Sequence, residues 1–202
     1  MPKVLSEADV ADFRQRMCAA AEQLFAERGP DAVSMRELAA KLGVSAMTPY
    51  RYFKDKDDIL AAVRAQGFDR FAAALEQAAA ANPEPGVRAD AVGAAYIRFA
   101  FAHPAAYRLM FDLTQPTEAA YPDLVRAAER ARRTLSAHVH ALIEAGLIED
   151  GDPELIAHVF WAAVHGLVVL KLAGKLSPAL DFDQIRDTMF RALALGFRRP
   201  RA

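Results

Sequence analysis

The chain has little of several features that define common protein classes. It contains one cysteine, Cys18, which excludes an intrachain disulfide and is typical of a reducing compartment. Its first residues form no apolar run resembling a secretory signal, and the most hydrophobic stretch, residues 156–173, is interrupted by His158, His165 and Lys171. We therefore expect a cytoplasmic protein without a membrane span.

Net charge and catalytic motifs are also sparse. The 25 basic and 26 acidic residues nearly cancel, so bulk charge indicates no partner. The sequence lacks a glycine-rich phosphate loop, a nucleophile elbow and an HExxH helix. His138 and His140 are two residues apart and would point to different helix faces, which disfavours a metal site. We predict no metal, no cofactor and no enzymatic activity; an enzyme using His165 and carboxylates for acid–base catalysis is the alternative.

Helical periodicity extends along most of the chain, and no segment alternates as a strand does. We predict an all-α fold. A compact domain of three helices, residues 1–54, would be joined through a long fourth helix to a C-terminal helical bundle, residues 55–202. Further helices are predicted over residues 87–102, 104–113, 123–145, 153–173 and 182–197.

Residues 34–53 have the pattern of two short helices joined by a tight turn. Ser34 and Glu37 form a capping box that starts the first of these helices. Gly43 fits the left-handed backbone conformation at the end of the same helix. Ser45 is predicted to cap a third helix that carries Pro49 near its start. This spacing favours a helix-turn-helix, with Phe53 facing inward and these side chains facing outward: Ala46, Met47, Thr48, Arg51 and parts of Tyr50 and Tyr52.

Positive charge is concentrated in this segment. Residues 36–56 hold five cations, Arg36, Lys41, Arg51, Lys54 and Lys56, against two anions. A solvated helical face would give the same count, but hydroxyls, an arginine and small apolar groups on a projecting helix suit phosphates, base edges and thymine methyls. The pattern therefore favours binding of double-stranded DNA.

The stretch SMRELAAKLGVSAMTPYRYFKDKDDIL, residues 34–60, resembles the DNA-binding signature of the TetR/AcrR family of bacterial transcriptional regulators. The resemblance implies a homodimer that binds operator DNA and usually represses until a small ligand releases it. By matching positions it implies Ser34 and Lys56 at phosphates, Tyr50 and Tyr52 against the backbone, and Arg36, Met47 and Thr48 near bases. The full predicted DNA-binding set is Ser34, Met35, Arg36, Ser45, Ala46, Met47, Thr48, Tyr50, Arg51, Tyr52 and Lys56.

The two last predicted helices are candidates for a dimer interface. Residues 156–173 are apolar nearly all round, and Phe182, Ile185, Met189, Leu193 and Phe197 form a long stripe. We predict an isologous interface through helices 153–173 and 182–197, although burial in a monomer core would give the same pattern. A twofold dimer predicts a pseudo-palindromic operator.

The C-terminal half also offers candidates for a ligand site. The segments FAHPAAYRLMF, residues 101–111, and WAAVHG, residues 161–166, resemble the WHG-type C-terminal domain of some TetR-family members. A cavity for a small apolar or amphipathic effector would be lined by Tyr96, Phe99, Tyr107, Met110, Phe111, Trp161 and His165, which would equally suit a core. A helical ligand carrier or protein-interaction module without operator binding is the alternative function.

Overall fold

The computed structural model describes residues 6–111, 118–149 and 151–197. Within these ranges every regular element is helical, which confirms the predicted all-α class. The helices are α1 (Glu7–Arg28), α2 (Met35–Lys41), α3 (Lys56–Ala80), α4 (Pro85–Ala102), α5 (Pro104–Phe111), α6 (Pro122–Glu144), α7 (Pro153–Leu172) and α8 (Phe182–Gly196), with short 3-10 helices at Pro49–Arg51 and Glu118–Ala120. The predicted end of the helix at Leu113 lies outside the described residues.

Side-chain caps set where the N-terminal helices begin. Ser6 accepts the Asp9 amide at the start of α1, and Ser34 accepts the Glu37 amide at the start of α2, each in a complete capping box. Asp55 Oδ1 accepts the Asp58 amide at 2.9 Å as α3 begins. The predicted start at Ser34 is confirmed, because a cap depends only on residues a few positions apart.

The predicted third helix is wrong in kind. An α-helix capped by Ser45 would take its first hydrogen bond from the amide of residue 49 to the Ser45 carbonyl, and proline has no amide hydrogen. The chain instead makes a turn, in which the Thr48 amide donates to the Ser45 carbonyl at 2.9 Å, followed by the 3-10 helix Pro49–Arg51. Ser45 Oγ lies 2.9 Å from Thr48 Oγ1 and caps no helix amide.

The chain divides into two compact units. The first comprises Met1–Asp69 and Ala105–Ala128, and the second comprises Arg70–Pro104 and Glu129–Ala202, so α3 and α6 contribute to both. The predicted boundary between residues 54 and 55 stays a prediction.

The first unit is built around side chains from α1, α2 and the start of α3. Met17, Leu38 and Ile59 are fully buried in this core, and Phe53 joins them from the segment after the 3-10 helix. Arg64, on α3, is buried in the same unit, where it pairs with Glu118 at 2.6 Å.

In the second unit α4 packs on α7, and α7 packs on α8. The Arg130 guanidinium on α6 holds the Glu76 carboxylate on α3 with contacts of 2.8 and 2.5 Å. The bounds of α7 and α8 agree with the predicted helices to within one residue. These helices enclose a cavity that is described below.

Helix α7 carries more apolar surface than its own chain covers. By length and composition alone it is the one helix of the described ranges that could cross a membrane. Only 28% of its most apolar window is buried. Leu155, Val169 and Leu170 are exposed on it. Since a core helix is buried on most of its surface, this exposure means that the described residues leave an apolar face of α7 uncovered.

Candidate functional site

The predicted DNA-contacting segment starts at a rigid helix end. Glu37 Oε2 accepts both the backbone amide and the hydroxyl of Ser34 at 2.8 Å, and Glu37 Oε1 accepts Arg28 Nη1 at 2.8 Å. The Arg28 contact, followed by the Ser34 contacts, lowers the pKa of Glu37 to about 2. The carboxylate is therefore held ionised at the start of α2, where a negative charge also stabilises the helix dipole.

A left-handed glycine turns the chain out of α2. Gly43 has φ of 67°, as predicted from its position, and its amide donates to the Ala40 carbonyl at 3.0 Å. The Val44 amide then donates to the Ala39 carbonyl at 3.0 Å, and the Val44 side chain packs on the core. The turn places the next residues on the surface beside α2.

Three side chains of the exposed segment pack inward and anchor it to the core of the first unit. Pro49 and Phe53 are buried, and the Phe53 amide donates to the Pro49 carbonyl at 3.0 Å. The Tyr52 ring stacks on Phe13 of α1, with ring centroids 4.1 Å apart. Docking of these side chains, rather than helix length, holds the segment in place.

Arg14 is an anchor that sequence reasoning missed. Its guanidinium carbon lies 4.1 Å from the centroid of the Phe53 ring, and its Nη1 donates to the Tyr52 carbonyl. The residues in contact are nearly forty positions apart along the chain, so helical spacing carries no signal for this pairing.

The structure exposes most of the predicted DNA-binding set together. Met47 is 70% exposed and Tyr50 is 49% exposed, although large hydrophobic and aromatic side chains are usually covered. Thr48, Tyr52 and Lys56 are half-buried, and Lys56 Nζ donates to the Pro30 carbonyl at 2.7 Å. The exposed members are Ser34, Arg36, Ser45, Ala46, Met47, Tyr50 and Arg51.

Met35 differs from the rest of the set. It is 8% exposed and belongs to the hydrophobic core of the first unit, so its side chain supports α2 from inside. The exposed remainder combines guanidinium groups, hydroxyls and a thioether on one docked segment. Such groups contact phosphates and base edges in protein–DNA interfaces.

Comparison with known proteins shows which family has this sequence. The profile for bacterial regulatory proteins of the tetR family matches residues 18–63, and the profile for the tetracyclin repressor-like C-terminal domain matches residues 89–193. The chain belongs to the tetR family. It is a DNA-binding transcriptional regulator, as predicted, and the family is one of regulators rather than enzymes.

Relatives of this TetR-family regulator cover nearly all of it. An uncharacterized HTH-type transcriptional regulator of Mycobacterium tuberculosis is 29% identical over 85% of this chain and 75% of its own length. A protein of unknown function from Rhodococcus sp. RHA1 has a TM-score of 0.81 and 29% identity over 98% of this chain and all of its own. A TetR-family regulator from Vibrio parahaemolyticus has a TM-score of 0.71 and 25% identity over 93% and 99% of the two chains.

The second unit of this TetR-family regulator contains a cavity of about 750 Å³. Its wall is mainly apolar and comes from α4, α6, α7 and α8, with Val92, Val139, Phe160, Val164 and Phe190 among the lining side chains. A cavity of this size and character suits a small-molecule ligand. Among the residues that the structure describes, no group of three acidic, histidine or cysteine side chains is placed to hold a metal ion.

The predicted ligand residues separate into three places. Tyr96 and Trp161 line the cavity, while Phe99 and His165 lie in the same unit outside its wall. Tyr107, Met110 and Phe111 belong to the first unit, where Phe111 packs edge-on against Phe68 at 5.5 Å. The proposal of a seven-residue ligand site therefore stays a prediction, and the structure brings two of its members to this cavity.

A hydrogen-bonded chain links the two lining residues to His165. Trp161 Nε1 donates to the Tyr96 hydroxyl at 3.2 Å, and that hydroxyl lies 3.2 Å from His165 Nδ1. Burial lowers the pKa of His165, so the ring is neutral and its Nδ1 can accept a hydrogen bond from the Tyr96 hydroxyl. His165 thereby orients Tyr96 at the cavity wall.

Proposed function

We propose that this TetR-family regulator is a cytoplasmic repressor that binds a pseudo-palindromic operator as a homodimer and is released by a small apolar or amphipathic molecule. The observation that supports operator binding best is the docked, exposed segment carrying Met47, Tyr50 and Arg51. Buried Pro49 and Phe53 fix this segment, so its outward side chains are positioned before DNA arrives.

The dimer would form through α7 and α8. Leu155, Val169 and Leu170 on α7, and Leu195 on α8, are exposed large apolar side chains. Family members act as dimers, and packing the two helices on their copies would give a four-helix interface. Two exposed segments would then reach successive major grooves, about 34 Å apart along the DNA.

Release would occur through a change in α3. Tyr96 lines the cavity, and its ring packs edge-on against Phe71 of α3, with centroids 5.0 Å apart. α3 begins at Lys56, next to the DNA-contacting segment. A ligand that moves Tyr96 therefore acts on the helix that leads directly to that segment, and it favours the arrangement that binds DNA less well.

The first experiment is a titration of the protein against DNA fragments from its own genomic neighbourhood at two salt concentrations. Arg51→Ala should weaken selective binding about tenfold or more and reduce the salt slope by about two, because each of the two subunits on the operator loses one exposed cation. Arg132→Ala removes an exposed arginine from α6 and is the matched control. We expect the control to bind like the wild type.

Equal losses in the Arg51 and Arg132 variants would show a bulk-charge effect and contradict the proposed interface. Absence of selective binding to any fragment that carries an inverted repeat would contradict the repressor proposal. Once a fragment binds selectively, addition of candidate compounds to the same assay tests release.

A further inference from the structure

His138 is a buried polar side chain at the wall of the cavity. It lies on α6, lines the cavity and is 7% exposed. Neither Nδ1 nor Nε2 has a hydrogen-bond partner among the residues that the structure describes. Buried polar atoms are nearly always hydrogen-bonded, because an unpaired one raises the free energy of the folded state. Within the described residues, the buried imidazole therefore has hydrogen-bonding capacity that a molecule in the cavity can satisfy.

The chemistry of this side chain restricts that partner. Burial, with a smaller contribution from Arg88, lowers the pKa of His138, so the ring is neutral at physiological pH. A neutral imidazole offers one N–H donor and one lone-pair acceptor. A hydroxyl, carbonyl or amide group matches it without bringing a charge into the cavity.

The rest of the wall disfavours an anionic ligand. Arg186 is the one cationic residue among those lining the cavity, and it is already held by Asp183 at 2.5 Å and by Asp187 at 2.8 Å. Asp90 and Asp187 also line the cavity and would repel an anion. The remaining wall is mainly apolar, so the body of the ligand is apolar as well.

We propose that His138 is the polar anchor of the effector cavity, and that the effector is a neutral, mostly apolar molecule with a hydroxyl or similar group that hydrogen-bonds the imidazole. This inference rests on the proposed ligand-released regulator and specifies its ligand class. The apolar majority of the lining residues supplies apolar contact, and His138 selects among molecules of similar shape.

The test compares para-hexylphenol with para-hexyltoluene, in which a methyl group replaces the hydroxyl. Binding to the full chain is followed by calorimetry and by emission of Trp161, the single tryptophan, which lines the cavity. The wild type should bind the phenol about tenfold more tightly, the contribution expected of one hydrogen bond in a buried site. para-Hexylbenzoate should bind more weakly than the phenol.

Three variants separate the role of His138 from a general packing effect. His138→Phe keeps a ring and should abolish the preference for the phenol, while His138→Gln keeps a donor and an acceptor and should retain most of it. His140→Phe is the matched control, since His140 is 61% exposed on the same helix and does not line the cavity. It should behave as the wild type.

Equal affinity of the wild type for the two compounds, a preference that survives in His138→Phe, or binding of neither compound would overturn the anchor. Tighter binding of the benzoate would overturn the neutral class. Operator affinity, measured separately with the phenol, tests the proposed function. A phenol that binds through His138 without changing operator affinity contradicts release alone, and release that is equal in wild type and His138→Phe contradicts the anchor alone.

Discussion

At the scale of single residues, Arg14 of α1 holds the exposed segment at two points. Its guanidinium lies over the Phe53 ring and also donates to the Tyr52 carbonyl, which follows the 3-10 helix. Carbonyls at a helix end lack intrahelical partners, and a cation over an aromatic face contributes roughly 0.5–2 kcal/mol. One side chain therefore fixes both the backbone and the buried ring below the predicted DNA-contacting surface.

Glu37 should make the stability of the first unit depend on pH. Its pKa is lowered to about 2, first by Arg28 and then by Ser34, while an unfolded glutamate titrates near about 4.3. The stabilisation is thus present above about pH 4.3 and is lost as the pH falls toward about 2. Urea unfolding should show wild type more stable than Glu37→Gln at pH 7, with a difference that shrinks in acid.

Glutamine is a suitable comparison because its carbonyl oxygen can preserve the capping box, while its NH2 group replaces the oxygen that accepts from Arg28 and the charge is lost. A difference between wild type and Glu37→Gln that stays constant from neutral to acidic pH would assign the effect to hydrogen-bond geometry and contradict the electrostatic account.

At the scale of elements, local chemistry was predictable and distant packing was not. Ser34 and Gly43 act within four residues of their own position, and the sequence predicts both. The apolar stripes that define α7 and α8 were equally local. The turn at residues 45–48 departs from the predicted helix because Pro49 has no amide hydrogen for the first hydrogen bond that such a helix needs.

The cavity shows the same limit at the candidate ligand site. Tyr96 and Trp161 lie on different helices, and a list of aromatic residues does not reveal which of them share a wall. His138 stands among apolar lining residues at helical spacing, with Leu135, Val139 and Leu142 on the same helix. That spacing was the available signal for a cavity-facing histidine.

Gly43→Ala should destabilise the protein through backbone conformation alone. Gly43 has φ of 67°, and a β-carbon there would meet nothing within 4 Å, so the substitution causes no collision. Left-handed backbone costs an L-residue about 1–2 kcal/mol, partly offset by reduced freedom of the unfolded chain. We expect a net loss of about 1 kcal/mol in the free energy of unfolding, measured by urea denaturation.

Gly43→Asn is the control for this prediction, since asparagine adopts the left-handed region more readily. It should lose less stability than Gly43→Ala although its side chain is larger. A loss that grows with side-chain size would point to steric contact and contradict the conformational explanation.

At the scale of the whole molecule, the exposed apolar face of α7 and the shortness of the predicted DNA-contacting segment both favour a dimer. Leu155, Ala162, Gly166 and Val169 fall on one side of α7 by helical spacing, opposite buried Val164 and Val168. In the proposed complex, one 3-10 helix at a single half-site would offer few base contacts. Pairing two chains through α7 would cover the apolar face and double those contacts, so the proposed interface would serve both stability and affinity.

Val169→Glu should therefore convert the protein to a monomer and weaken operator binding. Val169 is 42% exposed in the single chain, but the proposed interface would bury the introduced carboxylate without a partner, at a cost of several kcal/mol for each chain. Sedimentation equilibrium should show the dimer dissociation constant rise at least about a hundredfold. Operator affinity should fall as the dimer dissociates. The binding that remains should be that of one chain to one half-site.

Val87→Glu is the control that separates loss of the α7 interface from a general effect of added negative charge. Val87 is 52% exposed on α4, does not line the cavity, and receives the same substitution with the same change in charge. If added negative charge alone weakened association or DNA binding, both variants would show it. A monomer formed only by Val169→Glu places the twofold axis at α7, whereas a stable dimer in that variant moves the interface elsewhere and leaves the apolar face of α7 to another partner.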